Sequence, residues 1–104
     1  MDIKSTLVIH PLDPSTDFLT PIYDGMPHKM VIRSGCSKSE LRNLIDKHDR
    51  VIMMGHGSGN GLFSMGKFTD KELYIIDHSF VNQLSVKKNN VFIWCHANAY
   101  VQNH

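Results

Sequence analysis

Two short runs with no polar residue set the strongest limit on how this chain can fold. They are residues 51–54 (Val51, Ile52, Met53, Met54) and residues 91–95 (Val91, Phe92, Ile93, Trp94, Cys95). A strand with one solvated face alternates apolar and polar residues. A run without alternation suits a strand covered on both faces, as in a parallel sheet with helices above and below it. Each run leads to a reactive side chain: His56 follows the first after a glycine, and Cys95 closes the second. In open α/β sheets ligands bind beyond the carboxyl ends of the strands. Neighbouring strands lie about 4.8 Å apart, so a His and a Cys at two such ends can meet across one substrate.

The rest of the chain supplies the other layers. Residues 7–9 (Leu7, Val8, Ile9) form a first strand, stopped by His10 and Pro11, since proline cannot continue a central strand. Turn residues 13–17 lead into a short or bent helix carrying Phe18, Leu19 and Ile22 and limited by Pro21. Residues 29–33 form a second strand. Ser37 and Glu40 make a capping box, and Leu41, Leu44, Ile45 and His48 follow on one helical face. The third strand is residues 51–54. Residues 62–65 and 73–76 pair as a small hairpin beyond it. Asp77 caps a further helix with Phe80, Val81 and Leu84 on one face, residues 91–95 form the fourth strand, and a last helix begins at Ala97.

Alternating strands and helices with right-handed crossovers give an α/β three-layer sandwich. Its sheet is mainly parallel and four-stranded, in the order 2-1-3-4, as in flavodoxin-like topologies. Strands three and four are then neighbours.

Composition removes several functional classes. At 104 residues the chain is one small domain. A net charge of +1 gives no reason to expect nucleic acid or an anionic membrane as partner, and no apolar run is long enough to cross a bilayer. The N-terminus lacks the pattern of a signal peptide, so a cytoplasmic location is expected. Cys36 and Cys95 would be reduced there, with a disulfide between them as the lesser reading. Seven histidines show no metal-ligand spacing. A zinc site from His10, Cys36, His56 and Cys95 is also a lesser reading, because Cys-x-x-Cys and His-Glu-x-x-His are both missing. Neither Gly-x-Gly-x-x-Gly nor a P-loop occurs, and no cofactor is expected.

A buried cysteine commonly behaves as a small hydrophobe. At the carboxyl end of a parallel strand, with an imidazole nearby to favour the thiolate, Cys95 is a nucleophile candidate. His56 is its partner, since the glycines around it leave the ring accessible. His96 is a weaker candidate because successive strand residues point to opposite faces. His10, at the end of strand one, is a third candidate base. Gly55, Gly57, Gly59 and Gly61 alternate with polar residues, as in a loop whose N–H groups face a substrate. Ser58 lies in that loop but in no Gly-x-Ser-x-Gly elbow.

These stretches resemble the caspase-like cysteine peptidases, the group that also holds gingipains, clostripain, legumain and separase. In that group an apolar strand ends in His-Gly, here Met53, Met54, Gly55, His56, Gly57. A small hairpin and a helix follow, and a further apolar strand ends in the cysteine, here Phe92, Ile93, Trp94, Cys95. The separation, 95 − 56 = 39 residues, is typical of the group. Trp94 stands where many members have a small residue. The resemblance covers about residues 5–104 and implies a peptide or protein substrate, a Cys95 nucleophile, a His56 acid/base and the Gly57 N–H in the oxyanion hole. The fold of that group continues with more strands, so residues 1–104 correspond to its N-terminal part. The alternative function is a non-catalytic binding module, including a homodimer paired through the edge of strand four.

Overall fold

The computed structural model describes residues 5–70, 72–87 and 90–94. Strand β1 (Thr6–Ile9) is buried throughout and pairs in parallel with β2 (Lys29–Ile32) and with β3 (Arg50–Met54). Strand β3 pairs in parallel with β7 (Val91–Ile93), which makes the order β2-β1-β3-β7. The architecture is thus α/β with an all-parallel four-stranded sheet in the expected order, β7 being the fourth strand.

The faces of the sheet separate by the period-two alternation of strands. Leu7, Ile9, Val51 and Met53 pack with Leu41 and Ile45 of α2 (Lys38–Lys47) and with Leu84 of α3 (Val81–Ser85). Val8, Ile52 and Met54 point the other way, against Tyr23 of α1 (Pro21–Asp24) and the flanking Leu19 and Met26. Burial of each such side chain is worth roughly 1.5–3 kcal/mol.

Helix α2 starts where the capping box puts it. The Ser37 hydroxyl accepts from the Glu40 N–H at 3.1 Å, and the Glu40 carboxylate accepts from the Ser37 N–H at 3.3 Å. The segment after β1 is a 3-10 helix, Pro14–Leu19, followed by the single turn of α1. It is short and bent, as Pro21 requires. The expected apolar face is a correction, however: Phe18 and Ile22 are exposed, and Tyr23 is the buried side chain.

A second correction concerns the glycines after His56. Gly57–Ser58 is not a loop but a strand, β4, antiparallel to β5 (Gly61–Phe63), which pairs with β6 (Tyr74–Ile76). The small sheet beyond β3 therefore has three strands, in the order β4-β5-β6. Backbone approach explains two of its glycines. A Cβ on Gly57 would lie 2.5 Å from the Gly61 carbonyl oxygen and collide with the Trp94 ring, and one on Gly61 would meet the Ile76 carbonyl. Strand β5 stops at Phe63, because Met65 turns into the left-handed region at φ 58°.

Asp77 caps the 3-10 turn His78–Phe80 that precedes α3 by accepting from the Ser79 N–H at 2.9 Å. Its carboxylate also meets the Lys38 ammonium at 2.7 Å, and Lys38 bonds Glu72 at 2.9 Å. These contacts place a lysine in the first turn of α2, where the helix dipole disfavours a cation. The described part of the fourth strand ends at Ile93, with Trp94 in a bend after it. Cys95, His96 and the helix expected from residue 97 lie outside the described residues. No helix among the described residues is long and apolar enough to cross a membrane.

The Asp77–Lys38 contact sets a pH dependence. Burial alone would raise the Asp77 carboxyl, but the Lys38 and Ser79 hydrogen bonds outweigh it and bring the carboxyl from 3.8 to about 2. A carboxyl depressed by folding stabilises the fold above its unfolded value, and that contribution disappears as pH falls through the folded value. The side chains are 11% and 21% exposed, so solvent screens the pair only in part. Asp77→Asn should cost roughly 1–2 kcal/mol at pH 7. Denaturant titrations of the two proteins should converge between about pH 4 and pH 2, and a pH-independent difference would contradict this account.

Candidate functional site

The carboxyl ends of β1, β3 and β7 open on one edge of the sheet, and the groups that meet there come from three segments. The first follows β1. His10 is fully buried; its Nδ1 lies 2.8 Å from the Tyr23 hydroxyl and its Nε2 3.1 Å from the Thr16 carbonyl oxygen. Burial, aided by the charge of Arg33, lowers the pKa of this imidazole below its ordinary value. The Arg33 side chain donates to the His10 carbonyl at 3.0 Å and reaches the Asp17 carboxylate at 2.6 Å. His10, expected as a possible base, here spends its ring holding the 10–23 segment in place.

That segment presents Asp13 and Ser15 to His56. The His56 Nε2 lies 2.9 Å from Asp13 Oδ2 and 2.5 Å from Ser15 Oγ, and the Ser15 hydroxyl also donates to the same Asp13 oxygen. The Ser15 hydrogen bond, followed by the His56 charge, holds the Asp13 carboxyl below its usual value. An ionised carboxylate has no proton to give, so the shared proton belongs to His56 Nε2. This fixes the tautomer and leaves Nδ1 as the basic nitrogen. Ser15 and Asp13 share one ring nitrogen, whereas a serine triad needs nucleophile and carboxylate on opposite nitrogens. The cluster is a carboxylate-oriented histidine, not a Ser-His-Asp triad.

His56 is carried by β3. Gly55, at φ 146°, donates to the Ile93 carbonyl at 3.0 Å and turns the chain at the strand's end. The His56 side chain is 43% exposed and open to solvent.

The third segment is the end of β7. Trp94 lies beneath Gly57 and donates its indole N–H to the Ser58 carbonyl at 2.8 Å, which ties β7 to β4. The Phe63 N–H donates to the His56 carbonyl at 2.8 Å. Bonded and non-bonded pairs alternate in antiparallel ladders, so the Gly57–Leu62 pair is non-bonded and the Gly57 N–H is directed away from β5. Ser58 Oγ is engaged in the small sheet, 2.9 Å from the Tyr74 hydroxyl.

Sequence reasoning missed Asp13 and Ser15. Their 41- to 43-residue separation from His56 (56 − 15 and 56 − 13) carries no local pattern. The available signal was that a parallel sheet returns the loop after strand one to the same edge as the end of strand three. Cys36 is a free thiol buried in the core, with burial pushing its pKa up. Among the described residues no three His, Cys, Asp or Glu side chains gather into a metal-holding group. Comparison with protein-family models, curated proteins and solved structures finds no match to this chain.

Two outcomes test this geometry. Long-range ¹H–¹⁵N spectra should show neutral His56 as the Nε2–H tautomer, and Asp13→Ala should mix the two forms; a mixed tautomer in the unaltered protein would contradict the assignment. Gly57→Ala should lower stability by about 1–3 kcal/mol through its collisions with the Gly61 carbonyl and the Trp94 ring, and the same substitution should cost less in a Trp94→Ala background, read from a double-mutant cycle of denaturant titrations.

Proposed function

We propose that this chain is a caspase-like cysteine peptidase domain that hydrolyses peptide bonds with Cys95 as nucleophile and His56 as acid and base. The observation that carries this reading is a histidine held by its Nε2 at the carboxyl end of β3. It stands one strand away from the strand that runs toward Cys95. Met54 pairs with Ile93, and His56 and Cys95 each come two residues later in sequence.

In the proposed reaction His56 Nδ1 takes the thiol proton of Cys95, and the thiolate attacks the peptide carbonyl carbon. The negative charge on the carbonyl oxygen is met by donors of the kind the Gly57 N–H offers. Collapse of this intermediate breaks the C–N bond, and the imidazolium gives its proton to the leaving amine. Water, deprotonated by Nδ1, then attacks the thioester; the acid leaves and the thiol is restored. Asp13 holds the ring and balances the imidazolium charge, a positioning role. A cytoplasmic setting with reduced thiols is part of the same proposal.

Iodoacetamide alkylation measured against pH tests the reading. At pH 6.5 an ordinary thiol of pKa about 8.5 is about 1% thiolate, and buried Cys36 should react more slowly still. Cys95 should react at least tenfold faster than such a thiol, and His56→Ala should abolish the excess. If Cys95 follows an ordinary titration curve in both proteins, or if Cys36 reacts first, the peptidase reading fails.

A second reading, a non-catalytic module that pairs with a second copy through β7, has its own support. Strand β7 ends the sheet order, and its three residues are only partly buried among the described residues. Light scattering should then show a dimer; a monomer at high concentration removes this reading.

A further inference from the structure

A cleft of about 530 Å³ opens beside His56. It lies between the 3-10 helix after β1 and the end of β7. Phe18 and Leu19 line it from the first segment and Phe92, Ile93 and Trp94 from the second, and Gly55, His56 and the polar Ser15 and Thr16 complete the lining. The volume falls in the range of ligand pockets, about 300–1,000 Å³. Apart from His56, no wall residue among the described ones can carry a charge. A charged side chain laid against Phe92, Ile93 and Trp94 would lose solvation with no charged partner on that wall, which apolar surroundings penalise heavily. An aromatic or aliphatic side chain would bury its surface against three rings.

Phe18 is the unusual member. It is 74% exposed, at the mouth of the cleft, and contributes little to the core. A large aromatic side chain held in water on a pinned segment is unfavourable for the isolated domain, yet it is suited to closing over an apolar ligand group. The segment cannot drift away, because His10 and Arg33 fix it from below.

We infer that this cleft selects the peptide substrate, taking an aromatic or large aliphatic side chain adjacent to the scissile bond and rejecting acidic and basic ones. The inference rests on the peptidase reading, and Phe18 is its specificity-determining residue.

The test compares thiol-directed peptide fluoromethyl ketones that differ only in the residue next to the reactive group: Phe, Leu, Asp or Arg. Iodoacetamide, which does not use the cleft, is run in parallel. The Phe and Leu ketones should label Cys95 at least about tenfold faster than the Asp and Arg ketones, the range one apolar contact supplies. Phe18→Arg should reverse the order of the Phe and Asp ketones, and since Phe18 is exposed the variant should keep the fold, which circular dichroism checks. Fast iodoacetamide labelling with equal rates for all four ketones, or with Asp or Arg preferred, overturns the cleft inference and leaves the peptidase reading standing. Slow iodoacetamide labelling with no ketone labelling overturns both.

Discussion

The parallel pairing of β3 with β1 on one side and β7 on the other is the constraint on which the rest of the molecule depends. Val51, Ile52, Met53 and Met54 are all within 2% of full burial, so both faces of this strand must be covered. Helices α2 and α3 supply one cover, and α1 with its flanking segment supplies the other. Parallel strands also need a crossover between each pair, and every crossover leaves from the same edge. The loop after β1, the His56 turn after β3 and the Trp94 bend after β7 therefore converge. Their meeting is a consequence of strand direction and not of any local motif.

Convergence alone would not make a site, because exposed loops move. The segment after β1 is restrained by contacts that would individually contribute about 1 kcal/mol. His10 binds Thr16 and Tyr23, Arg33 binds the His10 carbonyl and Asp17, and the Leu12 N–H donates to the Arg33 carbonyl at 2.9 Å. A neutral, fully buried His10 is central to this network, and its lowered pKa follows from that burial. The restraint has a geometric result: Asp13 and Ser15 are presented to one nitrogen of His56, and Phe18 is held out into solvent beside the cleft.

Trp94 joins the two sheets. Its ring occupies the space that a side chain on Gly57 would need, and its N–H satisfies the Ser58 carbonyl. The glycine thus has a packing cause in addition to any role for its N–H. The same ring is a wall of the apolar cleft. A small residue at this position would leave β4 unsupported and the cleft open on that side, so Trp94 links the geometry near His56 to the chemistry of the pocket.

Much of this was legible in the order of residues. Unbroken apolar runs marked β3 and β7, Ser37 and Glu40 marked the start of α2, and Asp77 marked the cap before α3, because strand burial and helix capping are written in residues close in sequence. Their alternation was enough to give the strand order, since right-handed crossovers leave few arrangements. Other features required the folded chain. Gly57 and Ser58 became a strand only because Gly61, Phe63 and Trp94 were brought against them. Phe18 and Ile22 had helical spacing but stayed outside, since Tyr23 filled the space beneath the sheet. The Asp13–Ser15–His56 cluster and the cleft beside it join residues more than forty positions apart, held by contacts that no local pattern encodes. Sequence determined the elements and their order through short-range chemistry; tertiary structure alone decided which side chains meet at the edge, because that depends on how distant loops pack once the strands are parallel.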